Sequence, residues 1–212
     1  MEIQTASFKR HQKALQTKES ILQATIQLME RKGFEELTIK NICEESGVSN
    51  GTFFYHFKTK EALMDYYLTE KFAEYREGNE AFFKTDDFIL NIIHLYMAYA
   101  NYCASAGLEF VSNYYTPKNI ALDTREYIRD TVNPESIIGD VYLELKQAME
   151  QGYLHEETDL KQLAGYICTI NKGIMFQWCL VKSDMDMDKT YNDIFRNFLV
   201  SYTTEKYRKD IL

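Results

Sequence analysis

Thr38-Ile-Lys-Asn-Ile-Cys-Glu-Glu-Ser-Gly-Val-Ser-Asn-Gly-Thr-Phe-Phe-Tyr-His-Phe57 is the stretch on which the reading of this chain turns. Thr38 suits the cap of a short helix, because its hydroxyl accepts a hydrogen bond from a first-turn N–H that has no helical partner. Ile39, Ile42 and Cys43 then fall at i, i+3 and i+4 and give that helix one apolar face. Ser46-Gly47 ends it, since glycine takes the positive φ that closes helices, and Val48 fits the angle before the next helix. Ser49 caps that second helix, in which Phe53 and Phe57 face inward at i and i+4. Ile39, Ile42, Cys43, Gly47, Val48, Phe53 and Phe57 are therefore the expected core of a helix-turn-helix, whose second helix is presented to the DNA major groove.

The flanks extend the pattern. Upstream, Ile21-Leu22, Thr25 and Leu28-Met29 recur at helical spacing and stop at Lys32-Gly33. Downstream, Thr59 caps a helix that starts with Lys60-Glu61-Ala-Leu63. Together, Ile21-Leu-x-Ala24, Gly33-Phe34, Thr38-Ile39-x-x-Ile42, Gly47-Val48-Ser49-x-Gly51-Thr52-Phe53 and Tyr55-x-Phe57-x-x-Lys60-Glu61-x-Leu63 resemble the DNA-binding domain of the tetracycline-repressor (TetR) family of bacterial regulators. The motifs cover residues 17 to 65; the remainder resembles the family only in length and helical character. Family members usually carry Ala near Cys43 and Ser46, and commonly a phosphate-binding Tyr where this chain has Phe54. Tyr55 and His56 are left to supply that contact.

On this reading the first turn of the second helix, Ser49, Asn50, Gly51 and Thr52, reaches base edges. Asn50 is suited to a bidentate pair with adenine, Thr52 to a thymine methyl, and Gly51 to close backbone approach. Thr38, Tyr55, His56, Lys58 and Lys60 are placed for phosphates.

Composition first argues the other way, because the 212 residues carry a formal charge of −8. The distribution resolves the conflict. Residues 1–60 hold nine Lys or Arg against seven Asp or Glu, and residues 61–212 hold fifteen against twenty-five, so the basic excess lies with the motif. Residues 1–16, with Lys9, Arg10, His11 and Lys13 against Glu2, read as a basic tail, solvated or reaching phosphates. Residues 17–63 are the expected DNA-binding domain and 64–212 a larger helical one. No run of eighteen apolar residues and no apolar signal-peptide core appears, so a cytoplasmic protein without a membrane partner is expected.

Beyond Leu63 the pattern is helical throughout, giving an all-α fold of about nine helices in which Phe88 to Ala106 forms a central buried helix. Further helices are expected at 60–83, around Phe110 to Tyr115, at 118–130, 134–151 and 159–182, and from Met187 to Arg208. Aromatic and sulfur side chains crowd this part, and Tyr96, Tyr99, Phe110, Tyr114, Tyr166, Met175 and Trp178 are the candidate lining of a small-molecule pocket, against the alternative of ordinary core. The family resemblance implies that the last two helices pair with those of a second copy. Ile174, Ile194, Phe198 and Tyr202 are the candidate interface, with Gly165 and Gly173 permitting close approach. It also implies a repressor that binds palindromic double-stranded DNA as a homodimer and lets go when an effector enters the body.

No catalytic residue, metal site or cofactor is expected. His155-Glu156-Glu-Thr-Asp159 fails the zinc motif at its fifth residue. Asp184-x-Asp186-x-Asp188 is followed by Lys189 where a calcium loop needs Gly. Cys43, Cys103, Cys168 and Cys179 are scattered without metal spacing and read as buried thiols. Two alternatives stand beside the main reading: a DNA-binding protein that ignores ligands, and a regulator sensing oxidation through Cys103, Cys168 or Cys179.

Overall fold

A computed structural model describes residues 2–33, 36–77, 84–117, 119, 122–123 and 136–211. Among them lie ten α-helices and no strand: α1 (Glu2–Lys32), α2 (Ile39–Ser46), α3 (Asn50–His56), α4 (Lys60–Glu77), α5 (Phe88–Ser105), α6 (Leu108–Tyr114), α7 (Ile137–Glu150), α8 (Leu160–Leu180), α9 (Met187–Leu199) and α10 (Glu205–Asp210). The all-α expectation holds, with one helix more than the sequence pattern suggests. Most of the helix expected at 118–130, and residues 78–83 of the one expected at 60–83, lie outside the described residues. The chain divides into two compact units, Met1–Tyr67 and Leu68–Leu212.

In the first unit, α1 packs on α2 and α3. Ile21, Leu22 and Leu28 of α1 are buried with Leu37, Ile42, Phe53, Phe57 and Leu63. Residues 2–16 are not a tail but the first turns of α1, because no Gly or Pro interrupts the chain before Gly33, where φ turns positive. Phe8 and Leu15 stand exposed there.

The second unit is built around α5. Asp87 caps it, its Oδ1 accepting from the N–H of Ile89 (3.0 Å) and Leu90 (3.2 Å). Ile89, Ile92, Ile93, Leu95, Tyr96, Tyr99 and Cys103 are buried along it. It packs against α9 and α7, and α8 packs against α7 and α6. Asp87 also fixes the C-terminal segment: Tyr207 donates to Oδ1 at 2.6 Å and Arg196 to Oδ2 at 3.3 Å.

The single final helix expected to Arg208 is instead broken. Thr203 adopts an extended conformation and bridges Leu154, and Thr204 caps α10 while its hydroxyl donates to Gly152 O at 2.7 Å. The partners of that break lie some fifty residues upstream, so helical periodicity alone does not expose it.

Candidate nucleic-acid interface

The local geometry of the motif follows from its caps. Thr38 Oγ1 accepts from Asn41 N at 3.1 Å, and Asn41 Nδ2 donates to Glu36 O at 2.8 Å, which fixes the entry to α2. Gly47 closes α2 at φ 69°, a left-handed conformation in which any Cβ is strained even though the space around it is open. Ser49 Oγ then accepts from Thr52 N at 3.1 Å and starts α3. Ser20 Oγ of α1 reaches Ser46 O at the turn, and Arg31 pairs with Glu45 at 2.6 Å, so α1 braces the C-terminal end of α2 at two points.

Phe53 and Phe57 are buried with ring centroids 5.9 Å apart, and Ile42 and Cys43 are buried on α2, which packs against α3. Two of the expected core residues stand further out: Ile39 and Val48 are half-buried, since they sit at the rim of α2 and in the turn. Gly47 is exposed and acts through its backbone.

Phe53 and Phe57 face in, so the opposite side of α3 faces out. Asn50 and Gly51 are exposed, and among the described residues no group holds the Asn50 amide. Ser49 is exposed but its hydroxyl is committed to the cap and to Thr52 Oγ1 at 2.9 Å, so Asn50 and the half-buried Thr52 carry more of any base reading than Ser49. A Cβ at Gly51 would meet only Ser49 Oγ at 3.7 Å, so the fold itself does not require glycine there.

The phosphate candidates divide in the same way. Thr38, Tyr55 and Lys58 are exposed, Tyr55 at 76%, whereas His56 and Lys60 are half-buried. Burial, with Lys18 second, pushes the His56 pKa down, so at neutral pH it offers a neutral N–H and not a cation. Lys18 of α1 lies over the rings of Tyr66 (4.6 Å) and Phe57 (5.8 Å), tying α1 to the end of the motif.

In the second unit the sequence-derived pocket residues do not form one lining. Tyr96, Tyr99, Phe110, Tyr114, Met175 and Trp178 are buried, and Tyr166 stands 46% exposed on another face beside His155, Gln162 and Tyr202. α8 is apolar on more than one side, which hides its outward face from periodicity. The open groove of about 570 Å³ is lined instead by Tyr115, Thr116, Pro117, Asn119, Leu122, Asp123, Lys172 and Phe176. Lys172 donates there to Leu122 O.

Behind Tyr115 is a buried polar cluster. Tyr115 OH donates to Tyr99 OH at 3.3 Å, Tyr191 OH donates to Asn171 Oδ1 at 2.6 Å, and Cys103 and Cys168 lie among them. Tyr96 OH makes no hydrogen bond of ordinary geometry; the polar group facing it is the Cys168 thiol, a weak acceptor. An unpaired buried hydroxyl costs about 1–3 kcal/mol, so its retention needs a reason. Burial raises the pKa of all four phenols, and lifts the Cys103 thiol to about 12. Cys168 and Cys179 are raised by the same cause. Cys103 and Cys168 are buried, and neutral, buried thiols react slowly with oxidants, which weakens the oxidation-sensing alternative at those two positions; Cys179 is half-buried.

Of the interface candidates, Ile194 is exposed and Phe198 and Tyr202 are half-buried, but Ile174 is buried within its own subunit and cannot meet a second one. The outward stripe of α8 is Tyr166, Gly173, Phe176 and Leu180, with nothing within 4 Å of the Gly173 Cβ position. Among the described residues no group of three or more His, Cys, Asp or Glu is placed to hold a metal, and no helix is long and apolar enough to cross a membrane.

An all-α chain with a capped helix-turn-helix whose second helix turns its polar side outward belongs to the class of helix-turn-helix proteins. More narrowly, residues 21–67 match the family described as bacterial regulatory proteins of the tetR family, and the chain carries that family's N-terminal domain. The HTH-type transcriptional regulator YerO of Bacillus subtilis is 46% identical over 55 residues, which are 24% of this chain and 19% of YerO. UidR of Escherichia coli, another HTH-type transcriptional regulator, is 30% identical over 83 residues, 37% of this chain and 42% of UidR. The chain thus aligns with a fifth to two fifths of these relatives' length. The fold of the whole resembles Thermus thermophilus FadR, a TetR-family repressor solved with lauroyl-CoA, with TM-score 0.68 at 21% identity over 86% of this chain and 93% of that one. FadR of Bacillus halodurans gives 0.57 at 16% identity over 84% and 92%. Such identities speak for the fold alone.

Proposed function

We propose that the chain is a ligand-responsive transcriptional regulator, a cytoplasmic repressor that binds a palindromic DNA operator as a homodimer and is released when a small molecule enters the second unit. The observation that carries this is the outward first turn of α3, with Asn50 unengaged and Gly51 not required by the fold, on a core closed by Phe53 and Phe57. Asn50 and Thr52 then read bases, with Ser49 and Gly51 allowing close approach. Thr38, Tyr55, His56, Lys58 and Lys60 hold phosphates and set the register. Residues 17–63 act as the DNA-binding domain and the remainder as the effector and dimer domain.

Two heads must be held about 34 Å apart to read adjacent half-sites. The exposed α8 stripe of Tyr166, Phe176 and Leu180, with Ile194, Phe198 and Tyr202, is the surface a second copy would cover. A ligand acts by binding better to the conformation that fits DNA less well. That T. thermophilus FadR was solved with lauroyl-CoA supports an effector site in this architecture. The test is selection of duplexes from a random pool by the purified chain, followed by sizing of the complex. A palindromic consensus bound by two copies is expected; recovery of unrelated sequences overturns the reading.

A further inference from the structure

The buried cluster of the second unit holds more polar groups than packing uses. Tyr96 on α5 is 1% exposed, its ring lies edge-on to Phe195 at 5.4 Å, and its hydroxyl faces only the Cys168 thiol, a weak acceptor, with no hydrogen bond of ordinary geometry. A phenylalanine would fill the same space without that unpaired group. Tyr191 also meets Phe195 edge-on at 5.5 Å, but its hydroxyl is satisfied by Asn171. Tyr115 belongs both to this cluster, through its bond to Tyr99, and to the wall of the groove outside. Tyr115 is therefore the side chain shared by the groove and the buried cluster.

Resting on the ligand-responsive reading above, we infer that this cluster is the recognition end of the effector site, entered past Tyr115, and that it takes an uncharged, largely aromatic molecule whose carbonyl oxygen accepts from Tyr96. The cluster's polar groups are four phenols, the Asn171 amide and two thiols, none of which carries charge at neutral pH. Among the described residues the charge that reaches the cluster is the Lys172 ammonium beside Cys168, already bonded to Leu122 O, so an ion drawn in would lose its water for little countercharge. At the groove, Lys172 and Asp123 offer one charge of each sign, and Lys172 is already bonded to Leu122 O. The groove volume of about 570 Å³ lies within the range of small-molecule sites.

A matched set of probes decides the matter: benzophenone, its carboxylate analogue 2-benzoylbenzoate and its ammonium analogue 4-(aminomethyl)benzophenone. Each is titrated against the full chain, reading the fluorescence of Trp178, the sole tryptophan, and the melting temperature. Benzophenone is expected to bind, with both charged analogues at least about tenfold weaker. Tyr96→Phe is expected to weaken benzophenone about tenfold and, without ligand, to melt higher than the native chain, because it removes an unpaired group. A purely structural Tyr96 would leave benzophenone affinity unchanged and would not raise the melting temperature when replaced. Equal or tighter binding of a charged analogue, an unaltered benzophenone affinity in Tyr96→Phe, or no binding of any probe overturns the inference. DNA selection by the same preparation fails or succeeds independently, so the two readings are separable.

Discussion

The two units use aromatic side chains in opposite ways. In the first, Phe53 and Phe57 close a core with no polar atoms of their own, and the candidate contact groups lie at or near the surface, Asn50, Tyr55 and Lys58 exposed and Thr52, His56 and Lys60 half-buried. In the second, Tyr96, Tyr99, Tyr115 and Tyr191 carry their hydroxyls inward, where water cannot satisfy them. A surface that grips a large, highly charged partner must be outside; a site for a small molecule must exclude water. On the proposed function the chain places its chemistry accordingly, and each half is vulnerable in its own way.

The largest expected effect breaks the head alone. Phe53→Ala removes a fully buried ring from a small core and is expected to cost about 3–5 kcal/mol, abolishing DNA binding. Tyr191→Phe in the body leaves Asn171 Oδ1 unpaired and is expected to cost less, about 1–3 kcal/mol. Limited proteolysis should cut the first variant within residues 1–67 and spare the rest. Simultaneous loss of both units would show that they are one cooperative body.

Next in size is the surface offered to a second copy. Leu180→Asp combined with Phe176→Asp places two charges on the exposed α8 stripe. If two heads act together, the loss of the second lowers operator affinity by about 100-fold or more. The melting temperature of the subunit should hardly change, since both side chains face outward. A variant that remains dimeric by light scattering places the contact elsewhere.

Asn50→Ala ranks third and sharpens the contrast between reading and holding. It is expected to reduce the preference for operator over random duplex by about 1–3 kcal/mol per half-site while leaving random affinity intact. Lys58→Ala is the control: it should weaken all duplexes alike and lower the salt slope by about one. Equal losses on both duplexes for Asn50→Ala would remove it from base reading.

The head was more legible in the sequence than the body, and the reason is range. Thr38, Gly47 and Ser49 act on groups three to five residues away, so their spacing alone announces two capped helices and a turn. Spacing places Ile39 and Val48 in the core because it marks a face but not its rim. In the body the decisive contacts join distant segments. Tyr115 and Lys172 share a groove, and Thr203 stops a helix because Leu154 is beside it. α8 is apolar on more than one side, so Tyr166 and Ile174 were assigned to the wrong faces, one outside and one inside. The basic residues near the N-terminus lack apolar periodicity and read as a tail, though nothing in them stops a helix.

The smallest effect sits where the two modes meet, at His56 on the exposed motif but half-buried against its neighbours. Burial first, and the Lys18 ammonium second, disfavour the charged imidazole in the folded state, so its folded pKa lies below the unfolded value of about 6.5. As pH falls from 7.5 to 5.5 the unfolded chain takes up the proton first, and the folded head loses stability; above pH 7 the full contribution is present. DNA acts in the other direction, because phosphate oxygens favour the imidazolium and raise its pKa. Lowering the pH should therefore depress the melting point of the head slightly while tightening its hold on a random duplex. Both trends should vanish together in His56→Gln. If the melting trend disappears and the binding trend persists, His56 is a packing residue, and the pH-dependent contact belongs to another group that titrates in this range.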